Sequence, residues 1–250
     1  MSEVLWNREV RVFTLGDTWE LSSDGGVDSW FAKLQKITSD RGFEKVLFGL
    51  AQRNHQNPGA VFIADNYPVQ WRADYDSAKY SAIDPVVAHS AQHCTPLVWA
   101  DSMYKNPMQQ AFREEAYSYG LVHGVSIPMH GPRGELGVFS LSLDAETPAS
   151  ARSHIAQELS NLVFIKDIVL QSATTFAFDS AIPDMPSLTS QEKDILRWCY
   201  NGKTSWEMSV IFGCSEANIN FHMGKITRKL GVSSRRAAVL LAINSGLIHV

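Results

Sequence analysis

His89 and His93 stand four residues apart, a spacing that sets two imidazoles on one helix face, as metal ligands require. No carboxylate or cysteine completes a site locally, and Cys94, Cys199 and Cys214 show no pairwise metal spacing. Neither HxHxDH nor GxSxG occurs, so hydrolytic chemistry has no motif here. A second group of residues suits recognition of a nucleic acid. Asn220 carries an amide that reads base edges, and Gly224 permits close approach of the backbone. Asn218, Lys225, Thr227 and Arg228 share that stretch. Lys203, Thr204, Ser205 and Trp206 crowd the start of an expected helix, where free N–H groups favour phosphate. Arg235 and Arg236 open another helix and are placed to hold a second phosphate. A helical bundle with solvated cations has the same charge and periodicity, so these features alone leave both readings open.

The elements that must position these residues are short helices. Thr189-Ser-Gln-Glu192 and Thr204-Ser-Trp-Glu207 each fit a capping box, followed by Ile195/Leu196/Cys199 and by Met208/Val210/Ile211. Asn201-Gly202 ends the first helix, Gly213 follows the second, and Ser215 caps a third. Ile219, Met223, Ile226 and Leu230 recur at helical spacing up to Gly231, which leaves Asn220, Gly224, Thr227 and Arg228 on the opposite side. A last helix from Ser233 or Ser234 carries Ala237, Leu240, Leu241 and Asn244 along one side. Two short helices about a tight glycine turn make a helix-turn-helix.

Charge agrees with this division. The 250 residues carry 22 basic and 26 acidic side chains, a net −4 that by itself argues against a nucleic-acid partner. Residues 188–250 hold eight Lys/Arg and four acids, or +4, leaving 14 basic and 22 acidic residues, or −8, before them. Residues 173–187, ATTFAFDSAIPDMPS, hold two prolines and two acids without periodicity and read as a linker. At 45% hydrophobic the chain has ample material for a core, which excludes a disordered or collagen-like class. No apolar run reaches the roughly 18–20 residues that span a bilayer, and the N-terminus lacks a signal-peptide pattern. A cytoplasmic protein without disulfides is expected.

Residues 1–172 read as a mixture of helices and strands without a regular alternation. Phe31, Leu34 and Ile37 are helix-spaced; Val46–Ala51 and Val61–Ala64 are apolar runs of buried strands. Pro68–Tyr80 reads as a helix with proline first and Trp71/Tyr75 four apart, and Asn106-Pro107 opens another carrying Phe112 and Ala116. VSIPMH and ELGVFSLSL flank Gly131-Pro-Arg-Gly134, a hairpin signal in which Leu136, Val138, Ser140 and Ser142 share one face. A final helix spans about Ser150 to Gln171, with Ile155, Leu159, Leu162 and Val169 inward. Helices bracketing a mostly antiparallel sheet suggest an α/β/α sandwich. A phosphorylated receiver, with its parallel βα repeat, fits poorly. The expected class is therefore α+β: an N-terminal α/β/α sandwich and a C-terminal all-α helix-turn-helix domain.

From Leu188 to Ile248 the sequence resembles the LuxR-type helix-turn-helix, through Glu192, Leu196, Gly202, Lys203, Thr204, Glu207, Ser215, Ile219, His222, Ile226, Lys229 and Leu230. His222 lies beside the buried face and reads as packing or as near a phosphate. Asn66-Tyr-Pro-Val-Gln-Trp71-Arg72, Tyr80-Ser-Ala-Ile-Asp84-Pro85, Pro96-Leu-Val-Trp99 and His130-Gly-Pro-Arg-Gly-Glu-Leu-Gly137 resemble the autoinducer-binding domain of quorum-sensing LuxR-type regulators, nearest to LasR-like long-chain receptors. The resemblance spans roughly residues 28–250, and about the first ten look like an extension.

It implies an N-acyl-homoserine lactone ligand of medium to long chain, no cofactor, a homodimer on double-stranded promoter DNA, and contact with RNA polymerase. The implied domains are 1–172 for the autoinducer, 173–187 as linker and 188–250 for DNA. On matching positions, Trp71 donates to the lactone carbonyl and Asp84 accepts the amide N–H. Tyr67 and Ser140 donate to the amide carbonyl. Trp99 walls the lactone ring beside Tyr104, Phe112 and Leu121. Leu47, Gly49, Tyr75, Val87, Ser126 and Val138 line the head and chain region, and Arg72 reaches a 3-oxo group through water. Burying such a head leaves each polar group costly unless paired.

The chain departs from the long-chain receptors at Val86, where they have threonine, at Val138, where they have alanine, and at Pro58, where they have an aromatic. Val138 narrows the pocket wall against the bulkiest ligands. Two rival readings remain: a ligand-independent DNA binder or heterodimerising antagonist with the same fold, and, more remotely, a lactone-processing enzyme.

Overall fold

The computed structural model describes residues 21, 26–52, 61–132, 134–174, 176–177 and 187–249. The expected N-terminal extension, Pro58, Arg133 of the hairpin and residues 175 and 178–186 of the expected linker lie outside them. In chain order the elements are α1 (Gly26–Ser39), β1 (Lys45–Gln52), β2 (Val61–Asp65), α2 (Val69–Ser77), α3 (Pro85–Gln92), β3 (Leu97–Val98), α4 (Pro107–Ser118), β4 (His123–His130), β5 (Glu135–Leu143), α5 (Pro148–Ala173), α6 (Ser190–Tyr200), α7 (Ser205–Phe212), α8 (Glu216–Lys229) and α9 (Arg235–Asn244). They fall into two compact units, α1 to α5 with the sheet, and α6 to α9. Among the described residues no helix is long and apolar enough to cross a membrane.

The sheet has five antiparallel strands in the order β2-β1-β5-β4-β3. Alternation gives each strand two faces. Phe48, Leu50, Ile127, Met129, Phe139 and Leu141 join Trp30, Leu34, Ile155, Leu162, Ile165 and Val169 from α1 and α5 in one buried core. On the other face, Leu47 lies opposite Ser140, Gly49 opposite Val138 and Ala51 opposite Leu136. Tyr67, Trp71, Phe112, Ala116 and Leu121 form a separate apolar cluster on that side. Helices on both faces of an antiparallel sheet are the α/β/α sandwich expected from the sequence.

The second unit is four helices around Ile195, Leu196, Met208, Ile219, Met223, Ile226, Ala238 and Ala242. Thr189 and Thr204 make the expected capping boxes with Glu192 and Glu207, and Ser215 and Ser234 cap α8 and α9. Gly213, at φ 61°, turns α7 into α8 through the left-handed conformation that glycine adopts without strain. Glu192 is only 3% exposed and binds Lys229 at 2.7 Å, tying α6 to α8. Burial pulls its carboxyl upward, but the Lys229 ammonium and the Thr189 N–H outweigh that and hold it below the usual range.

One expected helix changes its bounds, and two apolar runs divide into a buried and an exposed side. Pro68 is the N-cap of α2 rather than its first residue; the helix stops at Ser77, and left-handed Lys79 leads into a 3₁₀ turn over Tyr80–Ala82. In α7, Met208 is buried while Val210 and Ile211 are 65% and 45% exposed, because only one side of this short helix meets the core. In α9 the buried residues are Ala238, Val239 and Ala242, and Leu240 is exposed. The run RRAAVLLAIN is apolar around much of its circumference, so periodicity does not choose the face.

Gly137 sits where β5 is most crowded: a Cβ there would lie 2.4 Å from the Gly49 carbonyl oxygen and 2.8 Å from Leu50 Cδ1. Gly137→Ala is expected to destabilise the N-terminal unit by about 1–3 kcal/mol, measured by urea unfolding followed by tryptophan fluorescence.

Candidate functional site

Between the sheet face of Leu47, Gly49, Val138 and Ser140 and the helices α2, α3 and α4 lies a cavity of about 470 Å³. Every ligand residue expected from the sequence lines it except Ser126. β1 supplies Leu47 and Gly49. The segment before α2 supplies Tyr67, and α2 itself Trp71, Arg72 and Tyr75; Asp84 caps α3, which supplies Val87; β5 supplies Val138 and Ser140. Trp99 follows β3, Tyr104 follows a 3₁₀ turn, and Phe112 and Leu121 come from α4 and its exit. One wall is aromatic: the Trp71 ring lies 5.7 Å from Tyr75, 5.7 Å from Phe112 and 5.6 Å from Tyr119. Arg72 pairs with Asp65 at 3.3 Å and with Asp76 at 3.7 Å, so its guanidinium is held at the cavity wall by two acids.

The polar groups are few and buried. Asp84 is the N-cap of α3, and its carboxylate accepts the Val86 N–H at 2.7 Å and the Tyr75 hydroxyl at 2.9 Å. Burial pushes its carboxyl up to about 6, even though those two donors and the Val87 N–H pull it down. The Tyr67 hydroxyl is buried without a hydrogen-bond partner among the described residues. Burial, then the carboxylates of Asp65 and Asp84, push the Tyr67 phenol upward, so it is a protonated donor at neutral pH. A buried donor without an acceptor costs about 1–3 kcal/mol.

Ser126 stands behind the wall rather than in it. β4 places it opposite Ser140, where the Trp99 indole N–H donates to its hydroxyl at 2.8 Å and the two serine hydroxyls lie 2.8 Å apart. Since the indole only donates, the simplest proton order has Ser126 donating to Ser140. The Ser140 O–H is then left for the cavity. The cavity also takes in Val86, where the long-chain receptors have threonine, and Leu50, Ala51, Val61, Ile63, Ser90, Ala91 and Leu136, which are not among the ligand residues expected from the sequence. Helical spacing from Val86 and Val87 was a signal available for Ser90 and Ala91; β2 residues carried none.

In the second unit Asn218, Asn220, Gly224, Lys225 and Arg228 are exposed on α8, away from buried Ile219, Met223 and Ile226. Ser205 is buried and donates to Asn220 Oδ1 at 2.6 Å, so it orients Asn220 instead of facing solvent. Arg235 points its guanidinium at Cys199 Sγ, 3.1 Å away, and at Ser205, while Arg236 is exposed. Lys203 pairs with Glu207 at 3.0 Å beside exposed Thr204 and Trp206. The Thr204 N–H and that ammonium lower the Glu207 carboxyl to about 2. His222 Nδ1 is buried without a partner among the described residues. The His89 and His93 rings lie 4.5 Å apart, and His89 Nε2 binds the Thr95 carbonyl. Among the described residues no group of three or more His, Cys, Asp or Glu gathers where a metal would need it.

Sequence profiles match both units: the autoinducer binding domain over residues 26–172, and the bacterial regulatory proteins of the luxR family over residues 186–242. The transcriptional activator protein VanR of Vibrio anguillarum is 31% identical over 83% of this chain and 86% of its own. The quorum sensing-dependent transcriptional regulator RpaR of Rhodopseudomonas palustris is 31% identical over 88% of each chain. The transcriptional activator protein LuxR of Aliivibrio fischeri is 32% identical over 76% of each. In fold, the crystal structure of Escherichia coli SdiA superposes with a TM-score of 0.72 at 21% identity, covering 93% of this chain and 96% of SdiA. SdiA in complex with octanoyl-rac-glycerol gives a TM-score of 0.70 at 21% identity, over 95% and 99%.

The hydroxyl relay and the orphaned phenol predict opposite stability effects. Ser126→Ala strips Trp99 of its acceptor and is expected to destabilise the unliganded protein by about 1–2 kcal/mol in thermal unfolding. Tyr67→Phe removes a group that has no partner, and its melting temperature is expected to equal or exceed that of the parent.

Proposed function

The chain belongs to the luxR family of bacterial regulatory proteins, a transcriptional regulator with an autoinducer binding domain before its helix-turn-helix, and from this premise we propose that its cavity holds an N-acyl-homoserine lactone of medium to long chain. The observation that carries the reading is the buried Tyr67 hydroxyl, a donor without an acceptor among the described residues, in a cavity whose other polar groups include Asp84 and Ser140. Tyr67 and Ser140 supply two donors for an amide carbonyl; Asp84 supplies an acceptor for the amide N–H, and Trp71 a donor for the lactone carbonyl. Trp99, held by Ser126, walls the ring. Val61, Ile63, Val87 and Ala91 surround the chain.

Filling the cavity satisfies these groups and stabilises the ligand domain, which we place within residues 1–172, with a linker at 173–187 and the DNA module at 188–250. In the cytoplasm the liganded chains pair as a homodimer, set two modules on adjacent promoter half-sites and engage RNA polymerase. α8 enters the major groove with Asn220 and Gly224 at the bases; Asn218, Lys225, Arg228 and Arg236 follow the backbone, and Lys203, Thr204 and Trp206 meet phosphate at the start of α7. Ser205 and Arg235 contribute by holding Asn220 and α9 in place.

Purified full-length protein is expected to melt several degrees higher with at least one acyl-homoserine lactone of a chain-length panel; no rise with any of them overturns the ligand assignment. Because burial raises the Asp84 carboxyl to about 6, unliganded stability from this group is greatest below about pH 4 and is lost as pH rises through 6. An amide N–H donated to Asp84 requires the carboxylate, so lactone affinity should rise about tenfold from pH 5 to pH 7, and Asp84→Asn should flatten that profile. On DNA, Asn220→Ala is expected to change base preference at one position, whereas Lys203→Ala weakens specific and scrambled sites alike in gel-shift titrations.

A further inference from the structure

A second orphaned hydroxyl lies at the opposite end of the same cavity. Ser90, on α3, is 5% exposed, lines the cavity, and its Oγ is buried without a hydrogen-bond partner among the described residues. Its position along the cavity is fixed by its own backbone. His130 Nε2 lies 3.0 Å from the Ser90 carbonyl oxygen, which can only accept, so the imidazole donates. His130 is opposite Leu136 in the β4–β5 register, whereas Ser126 is opposite Ser140. Ser90 is therefore level with Leu136, four residues of strand from Ser140, or roughly 13 Å.

A helical serine commonly returns its hydroxyl to the carbonyl four residues earlier, here Val86, and no such bond forms. Val87 and Ala91 beside it in the cavity are apolar, and their side chains offer nothing to bond. An aliphatic chain ending here leaves Ser90 Oγ as unpaired as it is in the unliganded protein, so the penalty of a buried unsatisfied hydroxyl is not relieved.

We propose that Ser90 is a specificity-determining contact, and that the ligand class of this cavity is an acyl-homoserine lactone whose acyl group bears a hydrogen-bonding oxygen at its far end. The inference rests on the lactone reading above and adds a second polar anchor to it. The molecule recognised is polar at both ends and apolar between, with Tyr67, Asp84 and Ser140 at the head and Ser90 at the tail.

Calorimetric titration of the full-length protein with matched pairs of plain and terminally hydroxylated octanoyl-, decanoyl- and dodecanoyl-homoserine lactones tests it. At one chain length at least, the hydroxylated lactone is expected to bind about fivefold tighter than its plain partner, the worth of one neutral hydrogen bond. Ser90→Ala should erase that preference, so that plain and hydroxylated lactones bind alike, and Ser90→Cys, whose thiol is a poor donor, should do the same if the alanine variant does not fold. Equal or tighter binding of the plain lactone at every length overturns the proposal, as does a preference that survives in the variants. Binding of neither kind of lactone overturns the lactone reading itself, and this inference with it.

Discussion

The capping of α3 by Asp84 is the interaction on which the ligand-binding unit depends. A carboxylate buried among Trp71, Tyr104 and Phe112 would be costly alone, and the N-terminus of α3 supplies the N–H groups that make it tolerable. The same bond fixes where α3 begins, and with it the positions of Val87, Ser90 and Ala91 along the cavity. Tyr75 adds a hydroxyl from α2, so two helices are joined through one carboxylate. The residue that caps the helix is also an acceptor within the cavity, which couples the folding of this wall to the chemistry of what fills it.

Against that satisfied group stand hydroxyls that the fold leaves open. Tyr67 and Ser90 are buried at different levels of one cavity, each without a partner among the described residues. A core built only for stability has no use for such groups, because each lowers stability until something bonds it. Ser140 is different, since Trp99 and Ser126 tie it into a chain of hydrogen bonds that orders its proton. Ser126 thus acts on the cavity through Ser140 and Trp99.

In the helical unit the polar chemistry is organised by the helix ends. Capping boxes at Thr189 and Thr204 place Glu192 and Glu207, and each acid then collects a lysine, Lys229 and Lys203. Lys229 is thereby committed to the fold, whereas Lys225, Arg228 and Arg236 remain at the surface. The +4 excess of residues 188–250 therefore divides between structure and surface, and the bonds that Ser205 makes to Asn220 and Arg235 show polar residues near α8 serving the same division.

The sequence by itself determined the local features, because caps, turns and alternation depend on residues a few positions apart. Thr189, Thr204, Gly213 and Ser215 marked their helices, and the alternation of β5 put Val138 and Ser140 on one face whatever lay opposite. The cavity-lining residues were legible through resemblance over the whole domain, not through their spacing. Tertiary structure alone decided which apolar face of α7 and α9 is buried, since both helices are apolar on more than one side and only their neighbours break the tie. It also moved Ser126 behind the wall and brought Ser90 level with Leu136, through the pairing of β4 with β5. Strand register and helix docking join residues distant in the chain, and whether a buried hydroxyl finds a partner is a property of that juxtaposition, which no local pattern encodes.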